Sequence, residues 1–305
     1  MDFTSFSSVS DSRSSIINTF FKLTKTVSTL LGSAAVLGLG SLYWFQSKLV
    51  YPAYIADGHG KVDTPDVYGM DNYEHIDVVT RDNETIKMFV IRNDSSKIDY
   101  SNKTVLMLCP NAGNMGHSLP IAQLFYVNMK CNVIIYSYRG YGKSTGTPSE
   151  AGLKIDAESV CEWIMKDNQI SNSKIILHGR SLGGAVAIYI ASSHPNLIGG
   201  IILENTFLSI TKLIPYLFPY LKYVSFLCHE KWNSENLIPE IPSNIPILFL
   251  SGAKDEIVPP IHMKELFKLS KSLDKTFKEF PNGFHNDTIV QENYWYYVDQ
   301  FIEKI

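Results

Sequence analysis

The sequence predicts an α/β protein: a mostly parallel sheet with helices on both faces and a small cap, preceded by one N-terminal transmembrane helix. Three observations carry this expectation. No charged residue lies between Lys25 and Lys48; from Tyr73 onward short apolar runs alternate with helix-patterned segments; and a glycine-flanked serine stands where one such run gives way to a helix.

Taken in order, residues 1–25 read as a cytosolic tail, 26–47 as a membrane anchor and 48–305 as one large domain with a cap at about 206–243. The stretch from Thr26 to Ser47 is long enough, as a helix, to cross a bilayer core of about 30 Å, with Tyr43, Trp44 and Tyr51 near one interface. Ala34 and Gly38 form a small-xxx-small pair. A cleaved signal peptide would have a shorter apolar core and leader. The serine-rich, amphipathic stretch from Ser12 to Lys22 is also the pattern of a mitochondrial presequence, against which Asp2 and Asp11 stand. Arg13, Lys22 and Lys25 precede the span and only Lys48 follows it closely, which places the N-terminus in the cytosol. The large domain is then expected in the lumen or outside the cell, on an endomembrane such as the endoplasmic reticulum or on the plasma membrane, a mitochondrial membrane being the alternative. Asn83, Asn93 and Asn102 begin glycosylation sequons compatible with that side, and Asn286 begins another.

The domain opens with an expected hairpin, Ile76 to Thr80 and Ile86 to Arg92, then a strand from Thr104 to Leu108. A loop of small residues, Cys109-Pro110-Asn111-Ala112-Gly113-Asn114, follows. A strand from Asn132 to Tyr138 and a helix from Ser149 to Lys166 lead to the apolar run Lys174 to His178, which enters Gly179-Arg180-Ser181-Leu182-Gly183. Strand, sharp turn and helix in that order put a serine hydroxyl on a strained corner clear of the sheet, a nucleophile elbow. Next come a strand from Gly199 to Glu204, the cap, a strand from Ile245 to Leu250, a helix from Pro260 to Leu269 and a last strand from Lys275 to Phe280. The cap is rich in bulky apolar residues, among them Phe207, Leu213, Tyr216, Phe218, Tyr220, Phe226 and Trp232. They are expected either to receive an acyl chain or to pack the cap onto the core.

A serine hydroxyl needs a histidine to take its proton and a carboxylate to orient that histidine. In chain order after the elbow these are expected to be an acid and then a histidine. Asp255 lies just past the carboxyl end of a strand, and His285 in the loop after the last strand. Ser181, Asp255 and His285 are therefore the candidate catalytic residues. Glu204 is the competing acid, with a supporting hydrogen-bonding role as its other reading; Glu256 is expected to point away. The backbone amides of Leu182 and Asn111 are the candidate oxyanion donors.

With these residues in place the chain resembles the fungal bud-emergence family of membrane-anchored α/β-hydrolases, a family that includes the animal α/β-hydrolase-domain-containing protein thirteen group. The similarity runs from about Lys48 to near the end. It is carried by Leu49-Val50-Tyr51-Pro52, Asn111-Ala112-Gly113-Asn114, Tyr138-Arg139-Gly140-Tyr141-Gly142-Lys143-Ser144, the elbow with Gly184-Ala185, Leu203-Glu204-Asn205-Thr206-Phe207, the run from Gly252 to Pro260 and His285-Asn286-Asp287-Thr288. The resemblance implies the triad Ser181, Asp255, His285 and an N-terminal anchor, and some relatives in the wider group remove palmitoyl groups from proteins. Many members carry His-Gly where this chain has Cys109-Pro110, as in the yeast branch; proline has no N–H and fixes its own backbone angle behind the oxyanion loop.

The function expected is a serine hydrolase cleaving an ester or thioester through an acyl-enzyme, an acyl-protein thioesterase being one form. A peptidase on small peptides and a non-catalytic membrane scaffold are the alternatives. The partners expected are a small-molecule or acylated substrate and the bilayer. The net charge of −3 gives no basic excess for nucleic acid, and no cofactor is called for. Gly142-Lys143-Ser144 lacks the first glycine of a phosphate loop, and no Gly-x-Gly-x-x-Gly follows the first strand. The four cysteines, Cys109, Cys131, Cys161 and Cys228, have neither disulfide-framework nor metal spacing and are expected as free thiols.

Overall fold

Alternating apolar runs and helices build an eight-stranded sheet in a computed structural model that describes residues 5–305, with side chains from residue 18 onward. Asp2 lies outside the described residues, and the side chains of Asp11 and Arg13 are likewise not described. The chain divides into two units, one ending at Gln46 and one from Ser47 to Ile305. The first lies in helix α1 (Ser5–Val50), of which Asn18–Val50 is apolar enough to be a candidate span. At 1.5 Å per residue those 33 residues reach about 50 Å, more than a bilayer core requires.

In the second unit β1 (Tyr73–Val79) and β2 (Thr85–Ile91) form an antiparallel hairpin whose turn is closed by Asn83 in the left-handed region, φ 64°. Then follow β3 (Lys103–Leu108), α2 (Leu119–Val127), β4 (Asn132–Tyr136), α3 (Glu150–Lys166), β5 (Lys174–Arg180), α4 (Leu182–Ser193) and β6 (Ile198–Glu204). The cap contributes α5 (Ile210–Leu217), short 3-10 turns and α6 (Ser234–Leu237); β7 (Ile247–Gly252), α7 (Ile261–Leu269), β8 (Lys275–Phe280) and α8 (Tyr294–Lys304) complete the chain. The strands lie in the order β1-β2-β4-β3-β5-β6-β7-β8. β2 pairs antiparallel with β1 and β4, and every pair from β4 to β8 is parallel, with Leu106 opposite Leu177 and Leu203 opposite Phe249.

The central strands read as unbroken apolar runs because helices cover both faces. On one face Phe125 of α2 meets both Trp295 of α8 and His178 of β5. On the other, α4 packs against β5 and α3. Edge strand β1 is instead largely open to solvent, exposing Glu74, His75, Asp77 and Val79 and burying only Val78. The Arg139 of Tyr138-Arg139-Gly140-Tyr141 proves structural. Its guanidinium joins buried Asp156 of α3 at 2.8 Å to Asp82 of the hairpin turn at 2.7 Å, tying the antiparallel edge to the helix. All four cysteines are buried free thiols.

The cap divides by side. Phe207, Leu213 and Trp232 are buried, which is the core-packing role, whereas Phe218, Tyr220 and Phe226 face outward; Tyr216 is exposed on one side and sets its ring edge-on against buried His262.

Candidate active site

The corner after β5 is made possible by glycine. A Cβ on Gly183 would stand 2.0 Å from the Leu108 carbonyl oxygen, so only glycine lets the first turn of α4 press against the end of β3. Ser181 is held at φ 54°, ψ −119° between strand and helix, a strained conformation of order 1–3 kcal/mol that the surroundings must impose. They do so through the chain's own backbone: Ser181 N–H donates to the Glu204 carbonyl at 3.0 Å, and the Thr206 hydroxyl donates to the Ser181 carbonyl at 2.7 Å.

Asp255 and His285 come together from loops after β7 and β8. His285 Nδ1 lies 2.8 Å from Asp255 Oδ2 and 3.0 Å from Oδ1, with both residues buried. Asp255 Oδ1 also accepts the backbone N–H groups of Val258 at 2.7 Å and Ile257 at 3.0 Å, so the carboxylate is pre-oriented before the imidazole reaches it. An ionised carboxylate can only accept, which makes Nδ1 the protonated nitrogen and leaves Nε2 the basic one. Ser181 is itself buried, and no hydrogen bond joins it to His285 in this structure.

Glu204 does not touch the imidazole. One of its carboxylate oxygens accepts from the Tyr294 hydroxyl at 2.8 Å and the other has no partner. Burial pushes its carboxyl above the ordinary range. It lines a cavity of about 20 Å³ with Arg180 and with His178, whose Nε2 is also unpaired and whose imidazole burial lowers to about 3. Glu256 does not point away as expected. Its carboxylate accepts the His285 backbone N–H at 3.1 Å, because the acid loop wraps beneath the histidine loop and brings both carboxylates to the same residue.

The residue that joins the parts is Asn205, whose role the sequence did not reveal. Its side-chain oxygen accepts from Gly252 N–H at 2.9 Å, and its amide donates to the His285 carbonyl at 3.2 Å and to the Thr288 hydroxyl at 2.9 Å. Lying between Glu204 and Thr206, which both grip Ser181, it fixes the histidine loop to the segment that fixes the serine. Its φ of 45°, unusual for a non-glycine residue, turns the side chain toward that loop. The polar residue directly after a strand rich in apolar side chains was the available signal.

The Asn111 loop is clamped on both sides of Pro110. Tyr138 donates to the Cys109 carbonyl at 3.0 Å and Tyr141 to the Asn111 carbonyl at 2.7 Å. The Asn111 side chain donates to the Val50 carbonyl at 3.0 Å, capping the end of α1. Among the described residues the backbone N–H groups of Asn111 and Leu182 have no acceptor in the chain. His117 and Asn114 cap each other in the short turn Met115–Ser118.

A buried carboxylate secures the same corner from the cap. Glu230 accepts from the hydroxyls of Ser47 and Tyr51, each at 2.7 Å, and from Glu150 N–H at 2.6 Å, while Trp232 Nε1 donates to the Tyr51 oxygen. Burial and the neighbouring Glu230 carboxylate raise the Tyr51 hydroxyl far above its ordinary range.

An α/β-hydrolase-fold family model matches residues 105–224. The membrane protein YNL320W of Saccharomyces cerevisiae is 48% identical over 93% of this chain and 98% of its own. Protein bem46 of Schizosaccharomyces pombe is 44% identical over 89% of this chain and 90% of its own. The chain belongs to the bud-emergence, or Bem46, family. The α/β-hydrolase domain-containing protein WAV2 of Arabidopsis thaliana is 36% identical over 90% of this chain and 92% of its own. Among solved structures, the esterase Pf2001 of Pyrococcus furiosus superposes with a TM-score of 0.65 at 20% identity, covering 80% of this chain and 94% of its own. An α/β hydrolase of Vibrio vulnificus gives 0.69 at 19%, covering 86% and 92%. At these identities the structures show a shared fold, the one the sequence was expected to adopt.

Proposed function

We propose that the protein is a membrane-anchored serine hydrolase that cleaves an ester or thioester through an acyl-enzyme. The observation that carries this reading is the two-oxygen contact of buried Asp255 with His285, in a fold whose strand-to-helix corner holds Ser181 in a strained, positive-φ conformation. Ser181 Oγ attacks the carbonyl carbon as His285 Nε2 takes its proton. Asp255 stabilises the imidazolium, and the N–H groups of Leu182 and Asn111 receive the oxyanion. The imidazolium then protonates the leaving alkoxide or thiolate. Water, deprotonated by the same nitrogen, attacks the acyl-enzyme and returns the serine. Clamping by Tyr138 and Tyr141 supports the second oxyanion donor, since Pro110 offers no amide and Asn111 is the next residue that does.

The anchor is the candidate span Asn18–Val50, supported by the membrane relative in yeast. The charge bias of its flanks favours a lumenal or extracellular domain. The test is covalent labelling of the detergent-solubilised full chain by a fluorophosphonate. Labelling of the wild type that disappears in Ser181→Ala and His285→Ala supports the reading; folded wild type that does not label overturns it. Hydrolysis of paired ester and thioester substrates with the same acyl chain then separates the two chemistries.

A further inference from the structure

The exposed half of the cap calls for a partner. Ile210–Leu227 comprises α5 and two 3-10 turns, Pro219–Tyr223 and Ser225–Leu227, that pack on one another. Leu213 turns inward, but Tyr220 is 94% exposed, Tyr223 74% and Phe226 72%, with Tyr216 and Phe218 also exposed. Isolated exposed apolar residues need no explanation, whereas six large ones on one short segment, Leu217 with these five, do. The segment contains no acidic residue and two lysines, Lys222 and Lys212, the latter paired with Glu235 of α6. Tyrosines and phenylalanines with lysines and without carboxylates match the layer between bilayer headgroups and acyl chains, where aromatic rings settle and cations meet phosphates.

Position identifies the occupant. Phe226 lies four residues from Glu230, a separation the chain can extend to about 14 Å at most. Glu230 in turn is hydrogen-bonded to Ser47 and Tyr51, which bracket the end of the candidate span at Val50. The Val50 carbonyl is bound by Asn111 in the loop after β3, and the cap leaves the sheet after β6. Span end and cap therefore share the carboxyl edge of the parallel strands. We propose that the aromatic face of the cap, centred on Tyr220, Tyr223 and Phe226, docks on the interfacial layer of the same bilayer that the N-terminal helix enters. It rests on the anchored reading above. Docking there sets the mouth of the active site against the membrane, so an acylated substrate reaches Ser181 from the lipid side.

The test uses the full chain in nanodiscs holding one copy each, with single nitroxide labels at Tyr220→Cys, Phe226→Cys, Leu37→Cys and Ile98→Cys. All four sites are exposed, and the native cysteines are buried. Ile98 precedes β3 at the opposite edge of the sheet. The expected result is collision with oxygen in excess of a water-soluble nickel chelate at 220, 226 and 37, and the reverse at 98. Labels at 220 and 226 that behave like 98 while 37 stays in lipid overturn the docking face and leave the anchor standing. Labels at 220 and 226 shielded from both reagents overturn it in favour of a covering protein surface. A label at 37 open to nickel overturns the anchor, and the docking face with it.

Discussion

Asn205 shows how much of the site depends on a residue that need not touch substrate. Asn205→Ala removes the acceptor of Gly252 N–H and the donor to the His285 carbonyl, leaving buried polar groups unpaired at a cost of about 1–3 kcal/mol. It also frees the histidine loop relative to Ser181, and misplacement by about 1 Å costs roughly 100-fold in rate. The expected outcome is a fall in kcat of that order with KM little changed, read at a temperature where circular dichroism shows the variant folded. A matching fall in KM-independent labelling by the fluorophosphonate checks that serine activation, not substrate binding, has been lost. The three candidate catalytic positions were legible in the sequence because chain order and strand ends announce them. Asn205 and Glu256 were not, because they act on backbone atoms: Glu256 holds the His285 N–H from 29 positions away, and no pairing of side chains records such a contact.

At the scale of elements, the alternation of apolar runs predicted the hairpin and every strand of the sheet closely, because helices on both faces demand continuous apolar strands. The cap was legible only as a composition. Its short 3-10 turns have no periodicity long enough to read, and which aromatic faces inward is decided by partners as distant as Tyr51, 179 positions from Glu230. The elbow is the opposite case, since its glycines are dictated by contacts that the motif itself implies. Gly183→Ala would drive a methyl group to 2.0 Å from the Leu108 oxygen and 2.9 Å from that of Cys109. Strand β3 and helix α4 must then part, at an overpacking cost of about 1–3 kcal/mol, and the Leu182 and Asn111 amides part with them. The expected outcome is a lowered unfolding midpoint together with a loss of fluorophosphonate labelling in the fraction that remains folded. Full labelling in folded Gly183→Ala would show that the two amides do not act together.

For the whole molecule, two buried histidines contribute to the response to acid, beside the Arg-paired carboxylates of Asp82 and Asp167. Burial lowers His178 to about 3 and His262 to about 4, so the unfolded chain takes up protons below about pH 6.5 that the folded chain refuses. Stability contributed this way is present above pH 6.5 and is lost as pH falls toward those values, about 2 kcal/mol for each histidine by pH 5. Glu204 works in the other sense. Its raised carboxyl favours the folded state below the unfolded value near 4.5 and loses that contribution as pH rises through its folded value. Glu204→Gln should therefore stabilise the protein at pH 7 and steepen its acid loss, an outcome read from urea midpoints between pH 7 and 5. Orientation in the membrane is open to a test of equal directness. Asn83 and Asn102 are exposed, whereas the Asn93 amide donates to the carbonyls of Tyr126 at 2.8 Å and Cys131 at 3.0 Å, bonds that a glycan would break. Thr288, which completes the fourth sequon, is buried with its hydroxyl donating to the Phe284 carbonyl. Thr104, which completes the Asn102 sequon, is fully buried with its hydroxyl paired to Ser173, so the charge-derived orientation carries a pattern with it: an endoglycosidase-sensitive mass shift that disappears in Asn83→Gln and persists in Asn93→Gln and Asn102→Gln. A full-length protein from its own cells that shows no shift counts against the charge-derived orientation.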